Sequence, residues 1–364
     1  MAEWGVSVFL GSPDTADTLP GYLAAVAERG GTAVFTSLHI PEVPLQAAAA
    51  HLEHLTRMAA GFGMQTVADI APKALAGLGA TLDDLGVVGR MGLAGIRLDY
   101  GFTPAEVARV ATNPLGIRIV LNASTVDPDY LRAVMAAGAD PQLLEGCHNY
   151  YPRPETGISL DSFQRSSQVF RRFGLRVAAF VPGAGGRRGP LFAGLPTVER
   201  HRQMEAGRAA AELLATGLTD TVLFGDPWAT APELDRVSAV ARAEGVVIRV
   251  RLTPGLSALE QQIALGFVQE NRTDAAEFVI RSTASRAYAA QGPAIAPFNT
   301  ATRPAGAVTV DNLGYLRYSG ELQIATVDLP ADPRVNVVGQ VIPEDLPLLR
   351  WVGGSRKFQL VAVA

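Results

Sequence analysis

Gly95-Ile96-Arg97-Leu98-Asp99-Tyr100-Gly101-Phe102-Thr103-Pro104-Ala105-Glu106 carries one full passage from strand to helix. It opens with a short run that reads as a strand and ends on a carboxylate, Asp99. Thr103-Pro104-Ala105-Glu106 then supplies an N-capping hydroxyl, a proline at the first helical position and a glutamate at the third. The helix this predicts covers 103–112, and a second apolar run follows at 117–122. Strand, polar end, capped helix and strand make a βαβ unit.

The same rhythm repeats on both sides. Strands are expected at 6–10, 33–37, 66–70, 95–99, 117–122, 143–149, 176–181 and 221–225. Each run is read as continuously apolar rather than alternating, as a parallel strand covered on both faces should be. Helices are expected at 19–29, 45–62, 103–112, 127–137, 197–216 and 231–244. Eight strand–helix units predict a (β/α)₈ TIM-type barrel over residues 1–245. The competing architecture is a doubly wound open sheet, but no GxGxxG follows the first strand.

After Gly245 the rhythm changes to short strands divided by turn residues, and 289–306 reads as a long loop. Residues 246–364 are therefore expected to form a smaller, mostly-β domain. The 48% hydrophobic content can build a sizeable core, and a net charge of −4 without a basic block argues against nucleic acid as a partner. The single cysteine, Cys147, excludes an internal disulfide and a multi-cysteine metal site, and fits a reducing compartment. The opening MAEWGVSVFLGSPD lacks a basic leader, and no window approaches the roughly 20 apolar residues of a membrane span. A soluble, cytoplasmic protein is the expectation, with homo-oligomer formation left open.

In such a barrel the reactive groups gather at the C-terminal strand ends. That selects Ser37 and His39, Asp69, Asp99, Asn122 and Ser124, His148 and Asn149, and Asp226. A carboxylate ending an apolar strand is costly unless paired or used. Asp69 and Asp99 lead as a catalytic pair and Asp226 stands in reserve, although Asp226-Pro227 also suits a cap. Paired carboxylates serve glycoside hydrolysis, one protonating the leaving oxygen while the other attacks or activates water. His51 and His54 lie on a helix face and read as surface or packing residues.

Cys147-His148-Asn149-Tyr150-Tyr151-Pro152-Arg153-Pro154-Glu155-Thr156-Gly157 displays rings, amides and a guanidinium on a stiff loop, which suits recognition of a sugar. His148, Asn149, Tyr150 and Arg153 are its candidate ligand contacts, with Asn122 beside them. The loop from Pro182 to Thr197 is rich in glycine and holds Arg187 and Arg188. Its backbone N–H groups and guanidiniums suit an anion, with Thr197 expected to cap the next helix. In the second domain Asp311-Asn312-Leu313-Gly314 reads as a turn between two strands, and Arg303, Tyr318 and Glu321 nearby suit one wall of a cleft.

Four segments taken together resemble the bacterial 6-phospho-N-acetylmuramidase family. They are Ile96–Asp99 with Leu121–Ser124, Cys147–Pro152 with Thr156–Ser159, Gly194–Arg202, and Asp311-Asn312 with Tyr318–Ile324. The resemblance spans nearly the whole chain. It implies a TIM-type barrel followed by a cyclophilin-like domain, and cleavage of 6-phosphorylated N-acetylmuramyl disaccharides in peptidoglycan recycling. The substrate's phosphate and lactyl carboxylate would be two anions for the arginines to meet. No cofactor and no metal are implied. Two other readings stay open on the residues alone: a sugar-phosphate isomerase or aldolase on the same barrel, and a non-catalytic sugar-binding protein.

Overall fold

The computed structural model describes residues 1–9, 15–38, 45–99 and 101–363. Residues 2–241 form one compact unit, and residues 242–364 with Met1 form another.

In the first unit eight parallel strands close into a barrel in sequence order: β1 (Glu3–Ser7), β2 (Ala33–Ser37), β3 (Gln65–Ile70), β4 (Gly95–Leu98), β5 (Arg118–Asn122), β6 (Leu144–Cys147), β7 (Arg176–Val181) and β8 (Thr221–Phe224). This is the (β/α)₈ class expected. The first strand lies three residues earlier than the apolar run suggests, with Gly5 opposite Ala33 and Glu3 opposite Thr221. Phe35, Val120, Cys147, Phe180 and Leu223 meet as a buried cluster. Each such side chain taken from water is worth about 1.5–3 kcal/mol.

The surrounding helices are α1 (Thr15–Glu28), α2 (Leu45–Gly61), α3 (Pro72–Gly77), α4 (Gly86–Arg90), α5 (Pro104–Val110), α6 (Pro128–Ala136), α7 (Leu160–Arg172), α8 (Ala206–Ala215) and α9 (Ala231–Arg242). Thr103 and Glu106 form the capping box at α5, and Asp127 caps α6 through the Tyr130 N–H. Helix α7 is absent from the sequence expectation. Its residues are mostly polar, but Leu160, Phe163, Ser167 and Phe170 fall on one buried stripe, and Ser159 caps it.

The single helix expected over 197–216 is broken. A short 3-10 turn, Glu199–His201, precedes α8, whose first amides bond to the Glu205 carboxylate. Thr197 caps nothing. It is buried, accepting from the Phe180 N–H at 2.9 Å and donating to the Asn149 carbonyl at 2.8 Å. It thereby ties the end of β7 to the loop after β6.

The second unit is mostly β. Its strands are β9 (Val246–Leu252), β10 (Gln269–Glu270), β11 (Val279–Ser282), β12 (Ala307–Asp311), β13 (Leu322–Ala325), β14 (Val335–Val341) and β15 (Lys357–Ala362), in the order β10-β15-β9-β14-β12-β13-β11. Every pairing is antiparallel except β9 with β15. The two edge strands approach each other. The Ser282 hydroxyl donates to Gln269 Oε1 at 2.5 Å, and the Arg272 N–H to the Arg281 carbonyl at 3.0 Å, so the sheet nearly closes. Helices α10 (Ala258–Leu265) and α11 (Ser285–Ala289) belong to this unit.

The tight turn expected at Asp311-Asn312 is not there. A 3-10 segment, Leu313–Tyr318, joins β12 to β13 and carries Leu316 at a φ of 54°. Asn312 is fully buried, accepting from the Gly314 N–H and donating to Pro333 O and Asn336 Oδ1. Its side chain holds a wide connection that a two-residue turn does not need.

Candidate active site

Strand register assembles the barrel site. Asp69 on β3 lies directly opposite Arg97 on β4. Asp99 follows two residues after Arg97, and alternation brings both to one face. Arg97 is 3% exposed. Its Nη1 donates to Asp69 Oδ1 at 3.0 Å and to Asp99 Oδ1 at 3.2 Å, while Nη2 donates to Asn149 Oδ1 at 2.5 Å. Burial works against its charge, but Asp69, Cys147 and Asp99 outweigh it and raise the Arg97 pKa above the usual arginine value. The network continues sideways. Asn122 Nδ2 donates to Asp99 Oδ1 at 2.8 Å, and Asn122 Oδ1 accepts from the Ser124 N–H at 3.0 Å. The Asp99 side chain is 36% exposed and that of Asp69 18%, so Asp99 is the more open carboxylate.

Asn122 joins through Asp99, and Asp69, Asp99 and Asn149 thus meet on one guanidinium that sequence reasoning passed over. Its signal was present: a basic residue two positions before a strand-end acid shares that acid's face. Tyr150 lies beside them, in edge contact with Phe9, Phe35 and Phe180. Its hydroxyl accepts from Arg188 Nη1 at 2.9 Å, and the same guanidinium lies 4.0 Å from the Phe9 ring centre. Burial raises the Tyr150 pKa, partly offset by Arg188.

His148 sits elsewhere. Cys147 belongs to the buried barrel cluster and Asn149 to the network, so alternation turns His148 outward onto α7. It is fully buried, its ring nitrogens 3.1 Å from Ser124 Oγ and 2.9 Å from Ser167 Oγ, against Phe163. Burial, reinforced by Arg97, pulls its pKa down to about 3. It is a neutral link between β5, β6 and α7, with no face for a sugar. Burial likewise pushes the Cys147 thiol up to about 12 although Arg97 pulls the other way, so it is no nucleophile.

Asp226 is also fully buried. It accepts from the N–H groups of Gly183 at 2.9 Å, Arg188 at 3.2 Å and Leu195 at 3.0 Å. Burial raises its pKa, and the three amides partly reverse that. The Ala184 N–H goes to Glu233 Oε1 at 2.9 Å. The glycine-rich loop therefore wraps acids of its own, and those amides are not open to a ligand phosphate. The contact is tight: a Cβ on Gly225 would lie 2.1 Å from the Leu195 carbonyl oxygen. What this loop offers outward is its guanidiniums. Arg187 reaches Gln203 Oε1 at 3.3 Å.

The loop after β6 is pinned by groups the sequence did not single out. Glu199 accepts from the N–H groups of Glu155 and Gly157, and pairs with Arg202 at 2.6 Å. Its bond to Arg202 holds its carboxyl down to about 2 despite some burial. Arg202 also donates to the carbonyls of Tyr151, Arg153 and Gly194. Arg153 itself is exposed. His39 lies outside the described residues. His51 and His54 are exposed on α2.

A cavity of about 210 Å³ opens beside Asp99. A larger one, about 320 Å³, lies at the opposite end of the barrel, lined by Glu3, Gln65, Arg118, Glu145 and Thr221. Ion pairs Arg118–Glu145 (3.2 Å) and Arg176–Glu3 (2.7 Å) border it. That N-terminal end of the strands is where barrels build stability rather than chemistry. The smaller cavity lies at the C-terminal end, where Asp99 borders it and Leu98, Leu121, Val107 of α5 and Tyr130 of α6 line it.

Arg303, Tyr318 and Glu321 belong to the second unit. Glu321 is buried, 2.7 Å from Arg281 Nε and 3.6 Å from Arg286 Nε. Arg286 and Arg317 lie over the Tyr318 ring, and Arg303 donates to Pro330 O at 2.9 Å. Asp311 is buried beside them with no partner on Oδ1. Burial, then Glu321 and Asp332, raise its pKa to about 7.

A closed parallel barrel with a carboxylate pair at its C-terminal mouth defines the molecule's class, a TIM-type-barrel enzyme, and the family match makes that enzyme a glycoside hydrolase. The chain belongs to the 6-phospho-N-acetylmuramidase family. Its N-terminal domain model matches residues 4–239 and its C-terminal domain model residues 246–361. Comparison with curated proteins gives no match. Two crystal structures resemble the whole chain. One, of an uncharacterised B. cereus protein, is 30% identical at a TM-score of 0.85, covering 99% of each chain. The other, of a conserved Enterococcus faecalis protein of unknown function, is 35% identical at a TM-score of 0.71, covering 99% of this chain and 96% of that one. Among the described residues no helix is long and apolar enough to cross a membrane.

Proposed function

We propose that this glycosidase hydrolyses 6-phosphorylated N-acetylmuramyl disaccharides of the MurNAc 6-phosphate–GlcNAc type, in cytoplasmic recycling of peptidoglycan. The observation that carries the reading is the pair Asp69 and Asp99 on one nitrogen of the buried Arg97 at the strand ends. Two carboxylates share one guanidinium there, and an oxocarbenium-like transition state, which develops positive charge on the sugar, is favoured by a carboxylate beside it.

The two oxygens that share Nη1 lie closer together than the roughly 6.5 Å an inverting pair needs for its water. The spacing supports a retaining path. Asp99, the more open acid, faces the anomeric carbon, and Asp69 beside it, held by Arg97, steadies the charge that develops there. Asn122, Asn149 and Tyr150 bind sugar hydroxyls. Arg188, held by Tyr150 and Phe9, meets one substrate anion, and Arg187 or Arg153 the other. Asp226 shapes the loop that carries Arg187 and Arg188 and leaves the chemistry to the other two acids.

The test is release of reducing sugar from the phosphorylated disaccharide and from its unphosphorylated twin, by wild type and Asp99→Asn. Turnover of the phosphorylated form alone, lost in the variant, is expected. No turnover of either by folded protein sinks the substrate assignment.

A further inference from the structure

We infer that Ser124, His148 and Ser167 form a positioning relay for the glycosidase, running from helix α7 to the two amides of the site, with the imidazole proton held on Nδ1. The inference rests on the reading of Asp69 and Asp99 as the reacting pair. The relay acts on that pair through Asn122, Asn149 and Arg97.

Ser124 lies in the turn that follows β5 and serves both amides. Its backbone N–H donates to Asn122 Oδ1 at 3.0 Å, as in an Asx turn. That bond leaves Asn122 Nδ2 to meet Asp99 Oδ1 at 2.8 Å. A flipped amide would set its oxygen against the carboxylate, so Ser124 decides which end of Asn122 faces the acid. The N–H groups of Thr125 and Val126 both go to the Asn122 carbonyl and tie the turn down. The Ser124 hydroxyl oxygen accepts from the Asn149 N–H at 3.0 Å. Thr197 Oγ1 holds the carbonyl of the same residue at 2.8 Å, and Asn149 Oδ1 takes Arg97 Nη2.

Behind Ser124 the chain of contacts runs to His148 Nδ1 at 3.1 Å and from Nε2 to Ser167 Oγ at 2.9 Å. Burial sets its direction. Ser167 is wholly buried, and among the described residues His148 Nε2 is the one partner of its hydroxyl. A buried O–H left without an acceptor keeps its full desolvation penalty, so Ser167 donates and Nε2 accepts. A neutral imidazole has one donor and one acceptor nitrogen, so Nδ1 carries the proton and donates to Ser124 Oγ. Ser124 Oγ then accepts twice, and its own proton turns to water, which the half-buried residue can reach. The opposite tautomer would strand the Ser167 proton in the interior. Phe163, its ring centre 4.7 Å away, packs the imidazole in place. The site amides are thus held from behind by groups that meet no substrate.

The experiment uses the full chain as wild type, Ser124→Ala, Ser124→Thr and Ser167→Ala. At neutral pH, imidazole ¹⁵N spectra should show His148 protonated on Nδ1 and bare on Nε2, its signals identified by their displacement in Ser167→Ala. In Ser124→Ala the Arg97 guanidinium ¹⁵N signals should move. There kcat on the phosphorylated disaccharide should fall about 10- to 100-fold, the scale of a misplaced reacting group, and by more than KM rises. Ser124→Thr keeps the hydroxyl and should restore most of that rate. A lowered denaturation midpoint in Ser124→Ala with kcat of the folded protein unchanged would mark a merely structural bond and overturn the relay. A proton found on Nε2 overturns it as well. A wild type that turns over no disaccharide, with Arg97 still moving in Ser124→Ala, keeps the relay and defeats the hydrolysis reading.

Discussion

Each unit buries a carboxylate–guanidinium cluster, and the two have inverse stoichiometry. In the barrel one guanidinium, Arg97, serves Asp69 and Asp99. In the β-rich unit one carboxylate, Glu321, serves Arg281 and Arg286, and Asp311 beside them keeps an unbonded oxygen. The first arrangement gathers two carboxylates at the strand ends, as the proposed site for a developing cation requires. In the second, desolvation and then the charges of Glu321 and Asp332 hold Asp311 partly protonated near neutrality, although Arg281 and Arg303 pull the other way. Burial alone does not mark a reactive acid. The charge balance around it, and a way in for the substrate, decide what it does.

The harshest way to break this contrast is Arg97→Met. It leaves two acids facing each other without their cation, and breaking a buried pair costs about 3–5 kcal/mol. Chemical denaturation should show that loss, and sugar release should fall below detection. An unchanged denaturation midpoint would show that Arg97 does not hold the pair. Asp99→Asn keeps shape and should cost roughly 10²–10⁴ in kcat with little change in stability. Asp69→Asn should do the same, and a mild effect there would leave Asp99 as the single essential acid.

Asp226→Asn probes an acid with a scaffolding task. Weakening its three amide bonds should destabilise by about 1–3 kcal/mol and raise KM for the phosphorylated substrate more than it lowers kcat, because the loop bearing Arg187 and Arg188 loosens.

The pH dependence sharpens the comparison with smaller effects of opposite sign. Asp311 binds its proton more tightly folded than unfolded, so its contribution to stability declines as pH rises from roughly 4 to about 7. Asp311→Asn should abolish that decline and stabilise the protein by on the order of 2 kcal/mol at pH 8. His148 works the other way. Folded, it stays neutral down to about 3, while the unfolded imidazole gains a proton below about 6.5. Its contribution is therefore full above that value and falls as pH drops. Thermal melts of wild type and Asp311→Asn from pH 4 to 8 separate the two, since only the acid-side loss should survive the substitution.

Much of this was legible in the chain itself. The strand–helix rhythm and the Thr103–Glu106 box set the barrel, because parallel strands and capped helices have local signatures. Asp69, Asp99, Asn122 and Asn149 were recognisable because strand ends of a barrel share one face. Reading each strand as uniformly apolar hid Arg97, and treating His148 by residue type rather than by alternation sent it to the wrong side. Helix α7 went unseen because three hydrophobic side chains among many polar ones, at helical spacing, suffice to bury a face.

Local sequence therefore determined which elements form and which residues end them, since periodicity and capping act over a few residues. Only the tertiary structure decided which acid meets which base. Arg97 with Asp69, and Asp226 with the amides of the loop after β7, join positions far apart in the chain, and Asp311 Oδ1 is left without a partner among the described residues. Coulombic and hydrogen-bonding energies depend on distances that closure of the barrel and the sheet creates, and no run of neighbouring residues encodes those distances.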